Sequence, residues 1–67
     1  MTPENVRIFV PVIEQDATTG LYVGYVPDLA GAHSQGETLD ELMHNLREVI
    51  EMLAEDWPDF GDFSIAG

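Results

Sequence analysis

Sixty-seven residues without a cysteine suffice for one domain, residues 1–67, and exclude a disulfide scaffold or a cysteine-ligated zinc site. Thirteen Asp and Glu face only two arginines, and the formal net charge of −11 opposes direct binding of nucleic acid, whose phosphates call for Lys and Arg. The segment Met1–Asn5 lacks a signal-peptide pattern, and the longest apolar run, Phe9 to Ile13, is too short to span a bilayer, so a cytoplasmic protein with no membrane role is expected.

Val6 to Glu14 is rich in β-branched residues and reads as a first strand, with Val6, Ile8, Val10 and Val12 on one face and Phe9 and Ile13 on the other. Pro11 has no N–H for a ladder and marks an edge or a bulge. Gln15 to Gly20 supplies hairpin-turn residues, and Leu21 to Val26 follows as a second strand. Gly24 inside that strand marks a point where something bulky comes close. Pro27 to Gly31 is a tight turn, and Ala32 to Gln35 a short third strand ended by Gly36.

Thr38-Leu39-Asp40-Glu41 has the form of a capping box, in which the Thr38 hydroxyl accepts from the Glu41 amide and the Glu41 carboxylate returns to the Thr38 amide. A helix from Thr38 to about Asp56 is predicted, because Leu39, Leu42, Met43, Leu46, Val49, Ile50 and Leu53 repeat with helical period along one stripe. Pro58 bars its continuation, and Phe60 to Ala66 alternates loosely enough for a short last strand. The fold class is therefore α+β, a β-β-β-α(-β) antiparallel meander with one packed helix. One helix covers one face of a sheet, yet the first two strands carry large apolar residues on both. The second face is expected to meet another copy, as a homodimer or tetramer, or a different protein.

Chemistry-bearing groups are sparse. Asp40, His44 and Glu48 share the outer helix face at a spacing open to a divalent metal, but a solvated face with a weak Asp40–His44 pair is the expectation. Asp56, Asp59 and Asp62 lack the spacing of a calcium loop. His33 and Ser34 are adjacent on a strand and point to opposite faces, so no Ser–His pair forms. No catalytic residue, metal or cofactor is expected, and a metal-dependent nuclease using the carboxylates is the remote alternative.

From Glu37 onward nine acids stand against Arg47 alone, a field that attracts a basic partner, although solubility or a saline habitat gives the same composition. The partner-binding candidates are Asp40, Glu41, His44, Glu48, Glu51 and Glu55, with Trp57 and Phe60 beyond the helix. Two roles are open to those aromatics: an anchor in a partner's pocket, or a plug folded back on the core.

The stretch from Gly20 to Asp56, GLYVGYVPDLAGAHSQGETLDELMHNLREVIEMLAED, resembles the HicB family of antitoxins and HicB-like proteins. The resemblance lies in a strand ending in a Y-V-P-D-L turn, a short strand, a Q-G-E-T-L-D-E cap and an amphipathic helix, with Val6 to Glu14 matching the family's opening strand. It implies a partial RNase H-like fold without that nuclease's metal carboxylates. It also implies a small basic partner, a HicA-type mRNA-cleaving toxin, whose active site and RNA face the antitoxin covers. The turn reads P-D-L-A-G-A where the family often has P-G-C, and no helix-turn-helix or ribbon-helix-helix segment for operator DNA is read within residues 1–67.

Overall fold

Pro11 decides how the first strand is used. In the computed structural model, which describes residues 6–66, the expected strand over 6–14 is interrupted at Val10–Pro11 into β1 (Arg7–Phe9) and β2 (Val12–Gln15). The two halves hydrogen-bond through opposite edges. Arg7 N–H donates to Asp62 O and Ala66 N–H to Phe9 O, both at 2.9 Å, so the odd residues of β1 face β5 (Phe63–Ile65). Asp16 N–H donates to Leu21 O at 2.8 Å, and the two-residue alternation of an antiparallel ladder then makes Glu14–Val23 and Val12–Tyr25 the bonded pairs. The even residues of β2 therefore face β3 (Tyr22–Tyr25). Pro11 lies just past the last β5 bond, on the side where a donor has no acceptor to meet, which is why proline is tolerated there.

The sheets follow from this division. β1 and β5 pair in parallel, Arg7 opposite Phe63 and Phe9 opposite Ile65. β2, β3 and β4 (His33–Gly36) form an antiparallel meander in that order. The Gln15–Gly20 turn closes on the Asp16 carboxylate, which accepts from Thr18 N–H at 2.7 Å, with Gly20 at φ +75°. At the other end of the meander Val26 N–H donates to Ala32 O and Gly31 sits at φ +85°, a left-handed position that suits glycine. The last strand, expected only loosely, is real but pairs in parallel with β1 across the whole intervening chain.

The helix α1 (Leu39–Glu55) begins as its sequence dictates. Thr38 is extended and its hydroxyl accepts from Glu41 N–H at 3.0 Å. The return arm differs from the expectation: the Glu41 carboxylate reaches Glu37 N–H, at a long 3.5 Å, one residue before the cap. Of the apolar stripe, Leu42, Leu46 and Ile50 are fully buried, Met43, Val49 and Leu53 half-buried, and Leu39 protrudes at the first turn.

α1 lies against β4 and β3, and backbone rather than side chains forms the floor beneath its first half. A Cβ on Gly24 would come within 3.2 Å of a Leu42 methyl, and one on Gly36 within 2.5 Å of the Leu42 backbone nitrogen. The helix can settle this closely only because both positions lack a side chain. The second half rests on a larger core of Phe9, Val26, Leu29, Ala32, Leu46, Ile50 and Phe60. Past the helix, Trp57 N–H donates to Ala54 O and Phe60 N–H to Trp57 O, and Gly61 at φ +73° turns the chain into β5. Phe60 thereby stacks on Phe9 with centroids 5.9 Å apart and meets Phe63 edge-on at 5.9 Å.

The result is two layers, sheet and helix, measuring 42 × 26 × 17 Å. Its radius of gyration, 12.7 Å, exceeds the roughly 11 Å expected of a globule of this length. A sheet covered on one side only accounts for the flatness.

Candidate functional site

Two surfaces remain exposed, and they differ in chemistry. The first is the outer face of α1. Helical periodicity that turns Leu42, Leu46 and Ile50 inward turns Asp40, Glu41, His44, Glu48, Glu51 and Glu55 outward, and all six are exposed. His44 Nε2 lies 3.2 Å from Glu48 Oε1, and Arg47 Nε lies 3.4 Å from Glu51 Oε1, both i,i+4 pairs in open solvent. The expected Asp40–His44 pair gives way to His44–Glu48. A carboxylate four residues behind a histidine competes on equal geometric terms, and Asp40 sits in the first turn beside the amide dipoles.

The C-terminal end of this face opposes the stability of its own helix. The last turn contains no basic residue, while Glu51, Glu55 and Asp56 cluster at the negative end of the helix dipole. Glu51 and Glu55 are also like charges four residues apart. Met52 stands out among these acids, 68 % exposed on the side opposite the core. Its misfit with the apolar stripe was the signal that would have found it. Among the described residues no three of His, Asp and Glu converge in an arrangement able to hold a metal ion.

The aromatics beyond the helix separate into two roles. Phe60 is 2 % exposed and belongs to the core, so in this fold it has no surface to offer a partner. Trp57 is 45 % exposed, set edge-on to Phe60 at 5.6 Å. Arg7, which no local sequence pattern marks, bridges the two. Its guanidinium carbon lies 5.3 Å from the Trp57 ring centre and 5.2 Å from that of Phe60, and its Nε donates to Phe60 O at 3.0 Å. Only the spatial meeting of β1 with the post-helix turn reveals this clamp, because 50 residues separate Arg7 from Trp57 in the sequence.

The second surface is the outer face of the sheet. The registers place Val12, Tyr25 and His33 in one row and Glu14, Val23 and Gln35 in the next, with Ile8 and Ser64 level on the β1–β5 pair. Ile8 is 68 % exposed and Val10 67 %, and Val12, Val23 and Tyr25 are exposed beside them. Among the paired strand positions of this face Glu14 is the only acid. His33 is exposed here, and Ser34, half-buried, points to the helix side.

Residues 9–64 match the family model described as the HicB-like antitoxin of bacterial toxin–antitoxin systems. A UPF0150 protein of Synechocystis is 52 % identical over 52 residues, covering 78 % of this chain and 74 % of that protein. UPF0150 proteins of Thermotoga maritima and Archaeoglobus fulgidus are 46 % and 49 % identical, covering 84 % and 70 % of this chain and 76 % and 67 % of their own lengths. No solved structure gives a significant match.

Proposed function

From the premise that this chain belongs to the HicB-like antitoxin family, we propose that it is an antitoxin that binds a small basic toxin of the HicA type and blocks its mRNA-cleaving site. It does so by contact alone, without catalysis, in the cytoplasm. The observation that carries the reading is the outer face of α1. Five carboxylates, Asp40, Glu41, Glu48, Glu51 and Glu55, lie on one face of one helix, and Glu51 and Glu55 crowd the negative end of its dipole, an arrangement that stability alone does not favour. Such a face matches a surface built to hold RNA phosphates, and its field raises the encounter rate with a basic protein. Half-exposed Trp57 at the end of the same helix adds an apolar contact.

The test is co-purification, followed by titration, of this chain with the small basic protein encoded next to its gene. A complex at micromolar concentration or tighter is expected, weakening as salt screens the charges over a Debye length of about 8 Å. Absence of a complex at these concentrations overturns the reading. A second reading, a stand-alone homo-oligomeric regulator or scaffold without a toxin, draws on the uncovered apolar face of the sheet and predicts self-association without any such complex.

A further inference from the structure

We propose that the outer face of the Trp57 indole is a binding site for an arginine side chain of a basic partner. The inference deepens the reading of a basic partner and rests on it for the occupant. A column of rings beyond the helix carries it. Phe60 stacks on Phe9 with centroids 5.9 Å apart and planes inclined by 28°. Trp57 is inclined to Phe60 by 67°, with centroids 5.6 Å apart. The Arg7 guanidinium carbon lies 5.3 Å from the Trp57 centre and 5.2 Å from that of Phe60, so it fills the notch between the two rings. A cation inside that notch leaves each ring one further face, turned away from it. For Phe60 that face meets Phe9, and the residue is 2 % exposed. For Trp57 no aromatic or cationic group among the described residues covers it, and the residue is 45 % exposed.

Backbone and charge both suit this face to its ligand. Trp57 N–H donates to Ala54 O at 3.0 Å and Phe60 N–H to Trp57 O at 2.9 Å, so the indole stands on a hydrogen-bonded turn. Arg7 Nε donates to Phe60 O at 3.0 Å, which ties the guanidinium to the inner side of the ring. An indole held in this way loses little freedom when a partner arrives. Tryptophan is the aromatic that attracts a cation most strongly, and a planar, weakly hydrated guanidinium stacks on it better than an ammonium does. Four exposed carboxylates, Glu55, Asp56, Asp59 and Asp62, lie within five residues of Trp57 in the chain and outnumber the single charge of Arg7. Among the described residues Arg7 bonds to the rings and the Phe60 carbonyl rather than to any of these acids. An apolar pocket closing over Trp57 would strip water from the acids without pairing them, whereas a guanidinium pairs them.

Trp57 is the only tryptophan, so its emission reports this site alone. The probe is a tryptophan-free peptide, hexa-arginine amide, titrated into the full chain with hexa-lysine amide as the comparison. Calorimetry measures the affinity and fluorescence the contact, at about 50 mM and about 150 mM NaCl. Hexa-arginine is expected to quench Trp57 emission to saturation and to bind about two- to fivefold more tightly than hexa-lysine, the range of an exposed cation–π contact. Trp57→Leu keeps every charge and should weaken hexa-arginine binding by about the same two- to fivefold. Trp57→Phe retains a weaker ring and should fall between the two. Salt weakens both peptides by screening the carboxylates. The ratio between the parent chain and Trp57→Leu should persist at the higher salt, because the ring acts at contact, well inside the Debye length.

Equal affinity of the parent chain and Trp57→Leu for hexa-arginine overturns the proposal, since carboxylates alone would then hold the peptide. So does emission that stays unchanged while the peptide binds, or hexa-lysine bound as tightly as hexa-arginine. Should Trp57→Leu lose its fold by circular dichroism, Trp57→Phe decides in its place: a weakened affinity supports the contact and an unchanged one overturns it. The two readings fail separately. Absence of a complex with the small basic protein encoded next to the gene defeats the antitoxin reading and leaves the peptide result standing. A complex whose affinity Trp57→Leu does not change defeats this contact and leaves the antitoxin reading in place.

Discussion

The outer face of α1 and the outer face of the sheet sit on opposite sides of the same thin molecule and follow opposite rules. The helix face carries acids with only Arg47 and His44 among them, and exposes no large apolar residue save Met52 and, at the first turn, Leu39. The sheet face exposes five large apolar residues, and among its paired strand positions carries one carboxylate, Glu14. A monomer in water has reason to make both faces polar and mixed in sign. The difference teaches that composition alone, averaged over the chain, conceals the most informative feature. The charge and the apolar surface are segregated onto opposite sides of the molecule.

The sharpest way to break this comparison is to remove the layer between the faces. Leu46→Ala empties a fully buried site between helix and sheet and is expected to cost about 2–5 kcal/mol. That equals most of the ~3–5 kcal/mol a core of this size supplies, so urea titration followed by circular dichroism should find the variant largely unfolded. A Tm within a few degrees of the parent would mean that the two layers are held by something other than this core.

Next in size is charge reversal on one face only. Glu48→Lys with Glu55→Lys should weaken the complex with a basic toxin at least tenfold by calorimetry, or about 1.4 kcal/mol. The same pair of substitutions should leave folding intact or improve it slightly, since Lys at 55 suits the helix C-terminus. Loss of both binding and helicity would deny that the acids serve the partner rather than the fold.

Thr38→Ala removes the hydroxyl that accepts from Glu41 N–H and should cost about 1 kcal/mol in a thermal melt. An unchanged melt would show that the helix start is set by its packing on Gly24 and Gly36 instead. The smallest effect is expected from Ile8→Ser. In dilute, monomeric protein it should shift stability by no more than about 0.5 kcal/mol, because the side chain touches water already. A larger loss in the monomer would make Ile8 part of the intramolecular core and end the contrast between the faces.

Most of the local structure was legible in the residues. Thr38 and the Leu39–Leu53 stripe defined α1 to within a residue or so, since cap and periodicity are local properties. Gly24 announced a close approach, and Leu42 proved to be the side chain that makes it. The outward parity of Ile8, Val10 and Val12 was also readable, and the break at Pro11 left it intact. Non-local facts were not readable. That β1 and β2 bond through opposite edges depends on where β5 arrives, and β5 is 50 or more residues away. Which of Trp57 and Phe60 is buried was not readable either: Gly61 turns the chain so that Phe60 enters the core against Phe9 and Trp57 stays half outside.

The sequence by itself determined the elements, their order and the sign of the charge, because hydrogen bonding within a turn, side-chain periodicity and ionisation are decided among near neighbours. Tertiary structure alone decided how the strands pair, which aromatics are inside, and that Arg7 lies against Trp57 and Phe60. Those outcomes require strands and helix from distant parts of the chain to meet. The physical reason is that burial and separation of charge are properties of a surface, and a surface exists only once the layers have packed.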